Sequence, residues 1–155
     1  MSSTITTISP ITGKPILTRE GITSADFDSI LSTSQAAFKS FRNTSLAERQ
    51  TIVKKALEIL SSKQDELAKE ITEQMGRPIA YTAKEVATAV KRGEYLLKVS
   101  DEVLAATPGE EEAGFRRWIR KEPLGTVLVI FAWNVSILSA SMTAMIKLIV
   151  DSTRT

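Results

Sequence analysis

Neither cysteine nor histidine occurs among the 155 residues. Together these absences remove disulfides, thiolate nucleophiles, imidazole bases and nearly every zinc site. Ser136, Ser139 and Ser141 crowd together with no histidine to activate them, and Lys147 and Thr143 fall outside any Ser–Lys motif. A structural use of these hydroxyls is expected. Asp26 with Asp28, and the acidic run at 110–112, lack the spacing and glycine of an EF-hand, so no metal is expected. The net charge of +2 is too small to argue for a nucleic-acid partner. The basic cluster at 116–121 follows that acidic run, and the two blocks are expected to face each other or solvent. Residues 1–7 are rich in serine and threonine and carry no apolar core of signal-peptide length, so a cytoplasmic location is expected.

What remains is ordinary for one soluble domain: 43% hydrophobic and 25% charged residues over a length that can bury a moderate core. Short β-prone runs flank a turn at Thr12-Gly13-Lys14, within a strand-turn segment at 1–22. A helical layer follows over 23–106. Thr23 or Ser24 can cap a first helix running to about Phe41, with Phe27, Ile30, Leu31 and Phe38 on one face. Ser45 and Glu48 form a capping box for a second helix. Val53, Leu57, Leu60, Leu67, Ile71 and Met75 then keep to one stripe. Ser61-Ser62 interrupts that stripe, and Ser62 with Asp65 offers a second capping box, so a break into two helices is expected. Gly76 and Pro78 close the segment. A further helix from about Ala80 to Leu104 places Ala83, Val86, Ala87, Val90 and Leu97 inward and Lys84, Glu85, Lys91, Glu94 and Lys98 outward. Met75 and Tyr95 are expected in the core.

Thr107-Pro108-Gly109 ends the helical half, and residues 107–134 are expected to hold a strand pair and then a further strand. Residues 113–122 alternate loosely as one member of the pair. After Glu122-Pro123-Leu124-Gly125, residues 126–131 are uncharged and rich in β-branched side chains. That composition predicts a strand buried on both faces, as in a parallel sheet. Ligands of α/β sheets bind beyond the carboxyl ends of strands, where Trp133 and Asn134 stand. A core strand followed by a turn, or Asn134 capping a terminal helix, accounts for the same residues.

The stretch 122–134 resembles the EPLG…PWN segment of the aldehyde dehydrogenase superfamily. Ser9-Pro10-Ile11-Thr12-Gly13 resembles that family's early strand-turn. Ala47-Glu48-Arg49 with Asp65-Glu66-Leu67-Ala68 resembles its first long helices, and Glu73-Gln74-Met75-Gly76-Arg77-Pro78 its "ETGKP" corner. The resemblance implies an incomplete α/β fold, with a helical layer of three to four helices, short β-hairpins and the first strand of a Rossmann-like NAD-binding sheet. It also implies that Asn134 matches the side-chain amide donor of the oxyanion hole, and that Ile130, Phe131 and Trp133 match positions lining the cleft for NAD or NADP. The strand pair would correspond to a β region that joins subunits. The family's nucleophile is a cysteine, which this chain lacks. After Asn134 the match decays: the family's prolines are replaced by Ala132 and Ser136, and residues 135–155 form an apolar tail that does not match.

The expectation is therefore the N-terminal portion of an NAD(P)-dependent aldehyde dehydrogenase, truncated, inactive alone and binding cofactor weakly or not at all. One alternative is a non-enzymatic interaction or regulatory subunit that pairs with a full-length relative or with itself. Another is a tail-anchored membrane protein, since residues 126–146 are 21 uncharged positions. Against the anchor, the run is diluted by Trp133, Asn134 and several hydroxyls.

Overall fold

Alternating threonine and isoleucine at the start of the chain suit a pleated ribbon, and β1 (Thr4–Ile8) pairs antiparallel with β2 (Pro15–Glu20). The turn between them closes on Ser9, whose hydroxyl accepts from the amides of Ile11 and Thr12 at 3.3 Å each. Gly13 takes the left-handed conformation the reversal needs, at φ 66°. A computed structural model describes residues 4–130 together with Ile137 and Ala144.

Four helices follow among the described residues: α1 (Ser24–Phe41), α2 (Leu46–Ser62), α3 (Gln64–Met75) and α4 (Ile79–Leu104). Their starts obey local chemistry. The Thr23 amide and hydroxyl donate to Asp26 Oδ2 at 3.0 and 2.6 Å. At α2 the Ser45 amide donates to Glu48 Oε2 at 2.7 Å, and the Glu48 amide donates back to Ser45 Oγ at 3.2 Å. The break between α2 and α3 falls where expected, but the second capping box does not form. Ser62 instead donates to the Ile59 carbonyl at 2.9 Å, and Lys63 is the hinge residue. A serine in the last turn can satisfy its hydroxyl on the preceding carbonyl, and here that local bond wins. Gly76 ends α3 at φ 73°.

The core lies where α4 packs along α2 and α3. Val53 and Leu57 are buried there, with Leu46, Leu60, Val90, Leu96, Leu97 and Leu104 partly buried against them. Leu60, Leu67 and Met75 of the expected stripe are half-buried, whereas Ala68 is fully inside. Of the expected inward face of α4, Val86 is buried, Val90 and Leu97 pack against the core and Ala83 is half-buried. Thr82, Glu85, Val86, Ala89, Gly93 and Ser100 are the helix's buried residues, whereas Ala87 is exposed. The periodicity is helical, and Thr82, Ala89, Gly93 and Ser100 share the buried line with Val86. Glu85, expected in solvent, is 8% exposed and ion-pairs with Arg77. Buried Ser100 accepts from Gln50 Nε2 at 2.8 Å and donates to the Leu97 carbonyl at 2.7 Å, so it is fully satisfied. Tyr95, expected in the core, is exposed, on the side of α4 away from α2 and α3.

Two further departures bear on the site. No residue of α1 is buried, and Phe27, Ile30 and Leu31 lie exposed on its face. The expected strand at 113–122 shrinks to β4 (Trp118–Ile119), paired antiparallel with β3 (Thr107–Pro108), plus an isolated bridge between Glu112 and Phe115. Proline in β3 removes an amide from the ladder and limits its length. The acidic and basic blocks do meet: Arg117 pairs with Glu112 and stands 5.3 Å over the Phe115 ring.

Candidate functional site

The segment that leads towards Asn134 is tied to the helical layer at three points. Lys121 Nζ donates to the Val103 carbonyl at the end of α4. There it meets carbonyls that a helix terminus leaves without intrahelical donors. Glu122 pairs with Arg120 and, at 3.9 Å, with Arg42 just beyond α1. Thr126 Oγ1 donates to the Ser34 carbonyl of α1 at 3.3 Å. Gly125, at φ 106°, allows the turn between the second and third of these ties.

Beyond this anchor, residues 126–130 are not in a strand among the described residues, which corrects the expectation of a doubly buried strand there. Leu128 is 82% exposed and Ile130 87%. A ladder exists only between partners, and a parallel neighbour must arrive through a crossover of a dozen or more residues. Among the described residues nothing supplies one, so a β-prone sequence stays unpaired. Of the expected site residues, Ile130 is described and stands open to solvent; Phe131, Trp133 and Asn134 lie outside the described residues. Ser136, Ser139, Ser141, Thr143 and Lys147 lie outside them as well.

NAD or NADP, implied by the resemblance, finds no fit in the described part of the chain. Ile130 offers an exposed apolar side chain, and no strand there runs into a glycine-rich turn and helix that could hold a pyrophosphate. Nor do the described residues bring together three or more carboxylates as a metal site. No described helix is long and apolar enough to cross a membrane, and most of 126–146 lies outside the described residues.

Sequence reasoning missed a different assembly. A cavity of about 350 Å³ lies between the end of α1, the start of α2, the end of α4 and residues 120–123. Arg42, Arg49, Arg120 and Lys121 line it, with Glu122 as the one carboxylate among the described residues. The four cations are spread over 80 positions of sequence, from three different segments, so no local motif announces them.

A sequence profile of the aldehyde dehydrogenase family matches residues 1–153. An aldehyde dehydrogenase of Paenarthrobacter nicotinovorans is 29% identical over 133 residues, which is 84% of this chain and 29% of that protein. A succinate-semialdehyde dehydrogenase [NADP(+)] of Mycobacterium avium (strain 104) is 28% identical over the same span, 28% of its own length. Among solved structures, succinate-semialdehyde dehydrogenase from Burkholderia pseudomallei superposes with a TM-score of 0.88 at 23% identity, covering 97% of this chain and 31% of that one. PnpE in complex with nicotinamide adenine dinucleotide gives 0.87 at 24% identity, covering 95% and 30%. The chain thus spans about three-tenths of the length of the proteins it matches, and its fold is that of their corresponding part.

Proposed function

The chain belongs to the aldehyde dehydrogenase family, and from that premise we propose that it is the helical opening portion of an NAD(P)-dependent oxidation of an aldehyde to a carboxylic acid, without turnover of its own. The observation that carries this reading is the family match over residues 1–153 in a sequence devoid of cysteine. The family's attack on the aldehyde carbon is made by a thiolate, and a sequence without cysteine has no thiolate to offer. In this reading Asn134 is the side-chain donor to the developing oxyanion, and Ile130, Phe131 and Trp133 line the nicotinamide cleft. One well-aimed donor is worth about a hundred- to a thousand-fold in rate, but only where a tetrahedral intermediate forms. This chain's contribution would be to hold the segment that carries those four residues against α1 and α4, through Lys121, Glu122 and Thr126. A calorimetric titration with NAD and with NADP tests the cofactor side. Weak or undetectable binding is expected, and saturable micromolar binding by the purified chain would contradict it.

A second reading, pairing with a full-length relative, draws on a separate observation. Phe27, Ile30 and Leu31 of α1, and Leu128 and Ile130 beyond it, are each exposed in the described structure. Unpaired β-prone segments and bare apolar faces favour association with another chain. Co-expression with a complete family member tests it: recovery of the two chains in one complex supports pairing, and separate elution opposes it.

A further inference from the structure

We propose that the cavity bounded by Arg42, Arg49, Arg120 and Lys121 binds a phosphate dianion, a site that does not depend on the oxidoreductase reading. The starting point is Arg49, in the first turn of α2. Its Nε is buried and, among the described residues, has no hydrogen-bond partner. A buried charged donor without an acceptor is costly, and arginine's planar fork is matched best by an oxyanion.

The neighbouring groups do not meet that need. Among the described residues Glu122 is the cavity's only carboxylate, and it is already engaged by Arg120 and, more distantly, by Arg42. Lys121 is held on the Val103 carbonyl. Glu48, the acid of the same helical turn as Arg49, is occupied by the Ser45 amide and hydroxyl. Among the described residues, four cations thus line a space of about 350 Å³ with one negative charge among them. The α2 N-terminus, at Leu46, opens on the same space and adds the positive end of a helix dipole. A tetrahedral dianion supplies several acceptor oxygens at once and offsets more of the excess charge than a monocarboxylate can. The space also falls in the range of small-ligand cavities, about 300–1,000 Å³.

The test is calorimetric titration of the 155-residue chain with inorganic phosphate and, separately, with acetate, at low ionic strength. Saturable phosphate binding is expected, with acetate binding more weakly. Arg49→Gln should weaken phosphate binding by about 10- to 100-fold, the scale of one charge-assisted hydrogen bond. Arg116→Gln, exposed and away from the cavity, should leave it unchanged. If circular dichroism shows Arg49→Gln unfolded, Arg42→Gln takes its place with a loss of the same kind expected. No phosphate binding, acetate binding as tight as phosphate, or affinity indifferent to the substitution made in the folded variant would each overturn the proposal.

Discussion

Removing Arg77 should destabilise the chain more than removing both Arg77 and Glu85. Glu85 sits on the buried line of α4 with its side chain 6% exposed, while the Arg77 side chain that pairs with it is 36% exposed. Breaking a fully buried pair from one side costs about 3–5 kcal/mol, because a charge is left without compensation. Partial exposure of Arg77 lets solvent screen the pair and reach the abandoned carboxylate, which lowers the expected cost of Arg77→Ala to about 2–3 kcal/mol. Glu85→Gln keeps an acceptor for the guanidinium and should cost about 1 kcal/mol. The double variant Arg77→Leu/Glu85→Leu removes both charges and adds apolar volume beside Val86 and Ala89, and should fall within about 1 kcal/mol of the parent. Urea denaturation in dilute solution, followed by circular dichroism, measures all four proteins, and an unchanged slope keeps the comparison valid. A loss below about 0.5 kcal/mol for Arg77→Ala would refute the reasoning, as would a double variant costing as much as Arg77→Ala alone.

Ser45→Ala removes the reciprocal cap of α2 and should cost about 1 kcal/mol in the same denaturation experiment. Gly76→Ala should cost about 1–2 kcal/mol, since φ is 73° and the new Cβ would stand 3.1 Å from Pro10 Cγ; a neutral result would mean that the hairpin shifts freely there. The Asp26 carboxyl is held below its ordinary 3.8 by the Thr23 hydroxyl and then the Thr23 amide, and Glu48 below its ordinary 4.5 by the Ser45 amide and then its hydroxyl. Depressed folded values mean that this stability is fully present above those ordinary values and is lost as pH falls through the depressed ones. Acidification from about pH 5 to pH 3 should therefore lower the urea midpoint more in the parent than in Asp26→Asn/Glu48→Gln, and parallel curves would contradict this. The exposed Phe27, Ile30, Leu31, Leu128 and Ile130 predict self-association that grows with concentration. Sedimentation checks this, and a monomer at all concentrations with a sharp, reversible thermal transition would count against it.

The helical layer was legible in the sequence because its signals are local. Ser45 with Glu48, Gly76 with Pro78 and the stripe through Val53, Leu57 and Ile71 each act within a few residues, and each stands where expected. On α4 the apolar guide finds Val86, Val90 and Leu97, but it does not find Thr82, Ala89, Gly93 and Ser100, which are buried without being large and apolar. Glu85 shows the same limit: its burial depends on Arg77, which no periodicity reveals. The strand at 126–131 was read from composition alone, but a strand also needs a partner, and none is present for 126–130 among the described residues. Arg42, Arg49, Arg120 and Lys121 converge only through tertiary packing, so their cavity had no signature in the sequence.

A chain without cysteine has no thiolate to attack an aldehyde carbon. Purified 155-residue protein, supplied with NAD or NADP and a panel of aliphatic and aromatic aldehydes, should give no reduced nicotinamide above the enzyme-free rate. Steady production of NADH or NADPH that follows the concentration of this chain, and persists when trace full-length dehydrogenase is excluded, would contradict it.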